Sequence, residues 1–321
     1  MEIKEIKAEK LKPSKFIKEK IEEIKDIVGD EKAIVALSGG VDSSTTTVLA
    51  HRALGKNLKV FFIDNGLMRE QEPYQVFSTF KKLGIKVKIV KAQKEFLKAL
   101  KGKIDPEEKR KAITQTFYKN VLAQLIKEVG ARFLLHGTIL TDIEETIAGI
   151  KRQHNILEQI GIDPQKEFGY QVIEPLKQLR KDGVRKVAKA LGLPKEIYNR
   201  MPFLGPALAG RIIGEVTPQK ISIVRKATAI VERTLKNVKA FQYMAILHQD
   251  QVTGIKEGKR KFGYQIEIRC WDSRDARTAT PTKISFKTLT KLAQEITQKI
   301  PEVVSVTYNI TAKPPSTMEA V

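Results

Sequence analysis

The segment Ser38-Gly39-Gly40-Val41-Asp42-Ser43-Ser44 carries the clearest chemical signal in the sequence. It follows the apolar run AIVALS (33–38) and opens a helical pattern from Ser43 to Leu54. Two glycines let the backbone approach a ligand, and the helix that follows aims its first N–H groups there, which makes the turn an anion site. It lacks the Gly-Lys-Ser/Thr ending of a Walker A loop and the spacing of a dinucleotide fingerprint. The cradle must therefore be made of backbone amides and serine hydroxyls, with Asp42 available to a metal ion. A turn that served packing alone would need one glycine and no set of three hydroxyls. Further along, Asp142 and Glu145 stand three apart and share a face on a helical turn, which by itself more often marks a solvated surface. His154 taken alone is more often structural. Cys270, in IRCWDS, has neither a glycine-flanked nucleophile turn nor triad partners and reads as structural too.

The elements that must position these residues follow from hydrophobic period. Apolar positions 17, 21, 24, 27 and 28 predict a lead helix over 14–28. Strands are expected at 33–38, 58–64, 85–90 and 131–138, with a last short one at 170–176, and helices at 71–83, 107–129 and 181–191. That alternation is an α/β parallel sheet with crossover helices. A polar, irregular stretch runs to about 170. Proline and glycine cluster in RMPFLGPALAGR (200–211), where a domain boundary is placed. Beyond it a helix (218–238), strands near 262–270 and 303–310, and a helix at 286–299 make an α+β unit.

The chain has 321 residues, enough to bury a sizeable core in two domains. Lys plus Arg number 58 against 37 Asp plus Glu, a net charge of +21 that favours phosphate-bearing partners. The excess is spread over 81–111, 177–200, 219–240 and 256–277. One cysteine excludes an internal disulfide and fits a reducing, cytoplasmic location. MEIKEIKAEKLKPSKF holds no hydrophobic signal region, and no apolar run approaches membrane-spanning length, so a soluble protein is expected.

SGGVDSS after an apolar strand resembles the pyrophosphate loop of the N-type ATP pyrophosphatases. These enzymes cut ATP between its α and β phosphates and adenylylate an oxygen of the acceptor. FFIDNGLMR (61–69), including Ile63, is similar to the family segment that meets adenosine. From about residue 14 to 319 the chain resembles the ATP pyrophosphatase part of the GMP synthases. The match is carried by DPEEKRK (105–111), HGTILTDIEET (136–146), IKRQHN (150–155), IEPLKQLRKDGVR (173–185), RMPFLGPALAGRIIGEVT (200–217) and ITAKPPSTME (310–319). The resemblance implies an adenine-nucleotide α-hydrolase-like parallel sheet with helices on both faces. A lead helix (1–30) would precede an ATP pyrophosphatase domain (31–203), with a lid at about 139–170. A smaller C-terminal α+β domain (204–321) would serve dimerisation and acceptor binding. ATP would be held by Ser38, Gly39, Gly40, Val41, Asp42, Ser43, Ser44, Ile63 and Gly137, and magnesium by Asp42 and Asp142. Asp142, Glu145, Lys151, His154, Lys181 and Asp182 would be catalytic, with Lys151 neutralising charge on transferring oxygens. Arg211, Lys313, Thr317 and Glu319 would hold the nucleotide monophosphate, Lys313 as a point charge on phosphate.

The sequence departs from that pattern at Gln153, where a second histidine is expected, and at Gly183, where the family has an acid. His136 replaces a glutamine, Leu204-Gly205-Pro206-Ala207 replaces Pro-Gly-Pro-Gly, and Leu157 to Pro164 replaces a Gly-Leu-Pro lid segment. The reaction implied is adenylation of xanthosine monophosphate and then amination to GMP. Ammonia would come from a separate glutamine amidotransferase subunit, and the chain would form a homodimer. Two other readings stay open: a basic paralogue that adenylates a base in transfer RNA, not favoured, and a regulatory paralogue that binds nucleotide without turnover.

Overall fold

The computed structural model describes residues 3–147, 169–201, 203, 206–273 and 278–319. It divides into two compact units. The first comprises 1–64, 72–92 and 114–200, and the second 65–71, 93–113 and 201–321.

The first unit is a five-stranded parallel sheet: β1 (Ala33–Ala36), β2 (Leu58–Asp64), β3 (Val87–Lys91), β4 (Phe133–Leu135) and β5 (Gln171–Ile173), in the order β3-β2-β1-β4-β5. The chain works outward from β1 to β3 and then returns to β1's other side. Right-handed crossovers therefore put helices on both faces, as the sequence implies. β1 pairs with β2 through Ala33–Leu58 and with β4 through Ala33–Phe133, so it lies at the centre of the sheet.

Helix α1 (Pro13–Val28) begins with a proline that loses nothing at a first-turn position and buries Phe16, Ile17, Ile24 and Val28 along one stripe. Helix α2 (Val41–Leu54) is buried from Ser44 through Ala50. Two of its three threonines satisfy their hydroxyls on the preceding turn, Thr45 Oγ1 to Val41 O at 2.6 Å and Thr47 Oγ1 to Ser43 O at 2.7 Å. α2 packs against α1 and against the later helix Lys181–Ala190. Helix α3 is Glu72–Lys82. The long helix expected over 107–129 is three pieces, α5 (Pro106–Gln115), a π-helical stretch (Thr116–Leu122) and α6 (Ala123–Val129). An additional helix, α4 (Gln93–Leu100), precedes them. Helix α7 (Leu140–Ile147) follows β4, and Lys181–Ala190 is α8. The lid residues 148–168 lie outside the described residues.

The second unit holds α9 (Pro218–Thr234), β6 (Gln242–Lys256), β7 (Lys259–Asp272), β8 (Thr280–Pro281), α10 (Phe286–Lys299) and β9 (Val303–Tyr308). β6 is absent from the sequence reading. Its first six residues are all buried and so show no alternation, and its outer half, beyond an irregularity between Leu247 and Gln251, is mostly polar with one apolar residue on each face, Val252 and Ile255. The hairpin to β7 turns at Glu257 and Gly258, both at positive φ (53° and 73°) as a type I′ turn requires. β9 joins parallel to β7, and Gly254 and Gly263 leave room for Val304, which a Cβ at either would meet at 2.6 and 2.7 Å. Residues 65–71 belong to this unit because Arg225 of α9 donates to Met68 O at 2.9 Å and Gly66 O at 2.5 Å, and Arg69 pairs with Glu232 at 2.9 Å. Among the described residues no helix is long and apolar enough to cross a membrane.

Two backbone positions are occupied by the less suitable residue. Gly183 lies inside α8, where its added Cβ would make ordinary contact with Leu179 at 3.4 Å. Ala207 sits at φ 53°, the left-handed region that a Cβ disfavours. Gly183→Ala and Ala207→Gly should therefore each raise stability by about 0.5–1 kcal/mol in urea unfolding.

Candidate functional site

β1 runs directly into the glycine loop, its ladder continued by Leu37 N–H to Phe61 O at 2.8 Å. Gly39 then takes φ +79° and turns the chain. Ser38 Oγ and Ser43 Oγ lie 2.8 Å apart, and Ser43 Oγ also reaches Gly40 O at 3.2 Å, so two of the three hydroxyls brace the loop across its mouth. Gly40 is the N-cap of α2 and brings no side chain to the first-turn N–H groups. The first bond inside the helix is Ser44 N–H to Gly40 O at 3.0 Å. An anion is the natural partner for such an end. Ser44 is fully buried with its hydroxyl unpartnered among the described residues, and Ile63 is buried within β2.

Gly137 belongs to the turn after β4, the neighbour of β1 at the point where the strand order reverses. A Cβ there would lie 2.9 Å from Ser43 N and 3.0 Å from Asp42 C, both backbone atoms. The two strand ends therefore approach more closely than any other residue type allows. Beside it His136 bridges Thr138 Oγ1 (2.9 Å from Nδ1) and Tyr118 Oη (2.9 Å from Nε2). Tyr118 sits in the π-helical stretch, and burial pushes its phenol well above the usual tyrosine range, so it stays neutral. A π-turn aimed at a site of this kind is a common functional feature.

Asp42 in the first turn of α2 pairs with Lys181 in the first turn of α8, Oδ2 to Nζ 2.5 Å, with side chains 23% and 44% exposed. Asp42 Oδ1 is buried with no hydrogen-bond partner among the described residues. Burial pushes the Asp42 carboxyl above the usual carboxylate range and the nearby Asp142 adds to this, while Lys181 and Arg185 pull the other way. Asp142 Oδ2 accepts from Ile139 N–H at 3.1 Å, the reach-back of a capping box. These two carboxylates could hold a cation. Among the described residues no group of three His, Cys, Asp or Glu is assembled, so phosphate oxygens and water would have to complete the shell, the usual habit of magnesium. The free Oδ1 fits that role.

Asp182 is exposed, its Oδ1 accepting from Gly183 N–H at 2.8 Å, about 100° round the helix from Lys181. Glu145 lies on α7, but its side chain, like Lys151, Gln153 and His154, falls outside the described residues. Two residues absent from the sequence reading brace the loop. Arg200 Nη1 donates to Gly39 O at 3.1 Å, and its Nη2 pairs with Glu72 Oε1 at 2.6 Å. Neither carries a spacing signal, because the chain after α8 and the start of α3 meet only in the fold.

In the second unit Arg211 and Glu319 come together, Nε to Oε2 4.0 Å, both buried. Arg211 stacks on Phe203 with its guanidinium 4.6 Å from the ring centroid, and Gln242 donates to Glu319 Oε1 at 3.2 Å. Arg211 Nε and Nη1 have no hydrogen-bond partner among the described residues. Thr317 Oγ1 donates to Glu319 O at 2.5 Å, and Lys313 pairs as an isolated bridge with Ala279.

Comparison with known proteins matches residues 13–194 to a family described as PP-loop domain and residues 229–320 to one described as GMP synthase C terminal domain. The chain is 49% identical over 305 residues to a protein of Archaeoglobus fulgidus named as one subunit of a glutamine-hydrolyzing GMP synthase, covering 95% of this chain and 98% of that protein. It is 47% identical over 308 residues to the Pyrococcus furiosus protein of the same name (95% and 96%) and 44% identical over 312 residues to that of Methanocaldococcus jannaschii (96% and 98%).

Gly137→Ala should displace the loop by forcing a methyl group onto the Asp42–Ser43 backbone. Titration calorimetry with ATP should show affinity weakened at least about tenfold, since a misplacement on the order of 1 Å at such a site costs up to 100-fold.

Proposed function

Because the chain belongs to the family of GMP synthase subunits that join a PP-loop domain to a GMP synthase C-terminal domain, we propose that it adenylates xanthosine monophosphate with ATP and lets ammonia complete GMP. The carbonyl oxygen at position 2 of the base attacks the α phosphate, and pyrophosphate leaves into the N–H groups of residues 39–43. Ammonia then displaces AMP from the adenylated carbon. The observation that carries this reading is the open α2 N-terminus beside paired Asp42 and Lys181. Lys181 balances negative charge at the transferring phosphoryl group, and the preorganised amides stabilise the leaving pyrophosphate. Magnesium, held by Asp42 and Asp142, would supply charge neutralisation at the phosphates.

Ammonia has no source within the described chain. Cys270 is 1% exposed in β7 and burial pushes its thiol up, the wrong state for a glutaminase nucleophile. We therefore assign glutamine hydrolysis to a separate amidotransferase subunit, as the relatives' name, which designates one subunit of a larger synthase, suggests. A homodimer through the second unit is consistent with exposed apolar residues there, Phe262 at 66% and Phe286 at 83%. The lone cysteine accords with action in the cytoplasm. Relatives of this identity support the mononucleotide acceptor and not transfer RNA.

Protein, ATP, magnesium, xanthosine monophosphate and ammonium at high pH should yield AMP, pyrophosphate and GMP in equal amounts. Pyrophosphate that appears only on addition of transfer RNA overturns the assignment. The pH profile has a definite sign. Asp42 is held above 3.8, so falling pH protonates it earlier in the folded chain than in the unfolded one. In the metal-free chain this group therefore adds folding stability as it takes up its proton, which urea unfolding across the acid range should show. Lys181→Met removes the chief influence lowering that pKa and should move this gain in stability to higher pH in urea unfolding of the metal-free chain.

A further inference from the structure

Glu72 and Arg200 form an ion pair that the reaction above does not use directly, with side chains 4% and 20% exposed. Breaking such a pair is costly, so its geometry is held firmly. The guanidinium is a planar fork: Nη2 takes Glu72 Oε1 at 2.6 Å while Nη1 donates to Gly39 O at 3.1 Å. A trans peptide is planar, and its C=O and N–H point in opposite directions. Fastening the Gly39 carbonyl inward therefore turns the Gly40 N–H outward, toward the mouth of the loop. Its one contact among the described residues is Ser38 Oγ at 3.4 Å, too long for a good hydrogen bond. A Gly-Gly peptide would otherwise rotate at little cost. Gly39 is also packed from behind, since a Cβ on it would lie 2.5 Å from Val76 Cγ2 of α3, the helix that begins with Glu72.

We propose that the Glu72–Arg200 pair locks the Gly39–Gly40 peptide in the orientation that presents the Gly40 N–H to pyrophosphate oxygens. Arg200 is a positioning residue and Glu72 acts through it by fixing the fork. The inference rests on the reading of the loop as a pyrophosphate cradle. Lysine at 200 can satisfy one partner and not both.

The test uses the full chain in the ammonia-dependent reaction. It measures kcat, KM for ATP and for xanthosine monophosphate, and inhibition by added inorganic pyrophosphate, in Arg200→Ala, Arg200→Lys, Glu72→Gln and the double variant Glu72→Gln/Arg200→Ala. Arg200→Ala should lower kcat and weaken pyrophosphate inhibition by about 10- to 100-fold, the scale of one misdirected donor, with KM for xanthosine monophosphate changed less than about twofold. Arg200→Lys should recover part of the loss. The double variant should be no worse than Arg200→Ala, because the proposal has Glu72 act on the Gly39–Gly40 peptide through Arg200. Unchanged kcat and pyrophosphate inhibition in Arg200→Ala overturn the proposal, as does a parallel rise of both KM values with a fall of kcat and melting temperature in every variant. If Arg200→Ala fails to fold, the near-isosteric Glu72→Gln is judged by the same criteria. A wild-type chain inert toward xanthosine monophosphate overturns the acceptor assignment alone. Calorimetric binding of inorganic pyrophosphate, weakened tenfold or unchanged in the variants, then decides the peptide lock.

Discussion

The approach of Gly137 to the Asp42–Ser43 backbone, 2.9 Å for a Cβ it does not have, sets the geometry on which the site depends. It follows from topology. β1 and β4 are neighbours whose connections leave in opposite directions, so the loops at their C-terminal ends diverge and a crevice opens between them. Each strand feeds a helix whose first turn carries an aspartate, Asp42 on α2 and Asp142 on α7. Helix N-termini favour such charges, but two of them at one crevice repel, and burial adds to the cost. Lys181 and Arg185, one turn apart on α8, offset that repulsion, which is why α8 must pack against α2. Positive charge at this crevice is a condition of placing two carboxylates there at all.

Legibility followed the same logic. The five parallel strands were readable because each is a short apolar or, in β3, alternating segment bounded by a turn, and β2 matches its expected limits of 58 and 64. The loop was readable because glycine and serine types are dictated by backbone approach. β6 was not, since six successive buried residues carry no period and resemble the end of a helix. The π-helical stretch was invisible because one extra residue per turn hardly disturbs an apolar stripe over seven residues. Arg200 and Glu72 could not be paired from sequence, being joined only when α3 and the chain after α8 meet behind the loop. Asp182 stood beside Lys181 in the sequence, yet one residue of helical rotation separates a charge facing Asp42 from one facing solvent.

The basic excess also has a partial structural account. Several of its lysines and arginines serve carbonyl oxygens: Lys256 reaches Thr297 O at 2.7 Å at the end of α10, Arg225 holds Gly66 and Met68, and Lys109 reaches Ile212 O at 2.7 Å. Burial holds the Lys109 amine down at about 8. Cations spent on carbonyl groups need no acidic partner, so they raise net charge without forming a nucleic-acid surface. A basic composition of this kind weakens the inference from charge to transfer RNA.

The departures from the family pattern that fall on described residues are of the same conservative kind. Gly183 stands where the resemblance leads one to expect an acid, and here the position is buried and faces Leu179 and Leu11. Ala207 replaces a glycine yet keeps the glycine conformation, at φ 53°, accepting strain so that the turn before Arg211 is preserved. His136 replaces a glutamine and still bridges two hydroxyls, as an amide would, with one ring nitrogen toward each. At each of these positions the surroundings accommodate the residue present: leucine packing at Gly183, a left-handed turn held at Ala207 and two hydroxyls joined by His136.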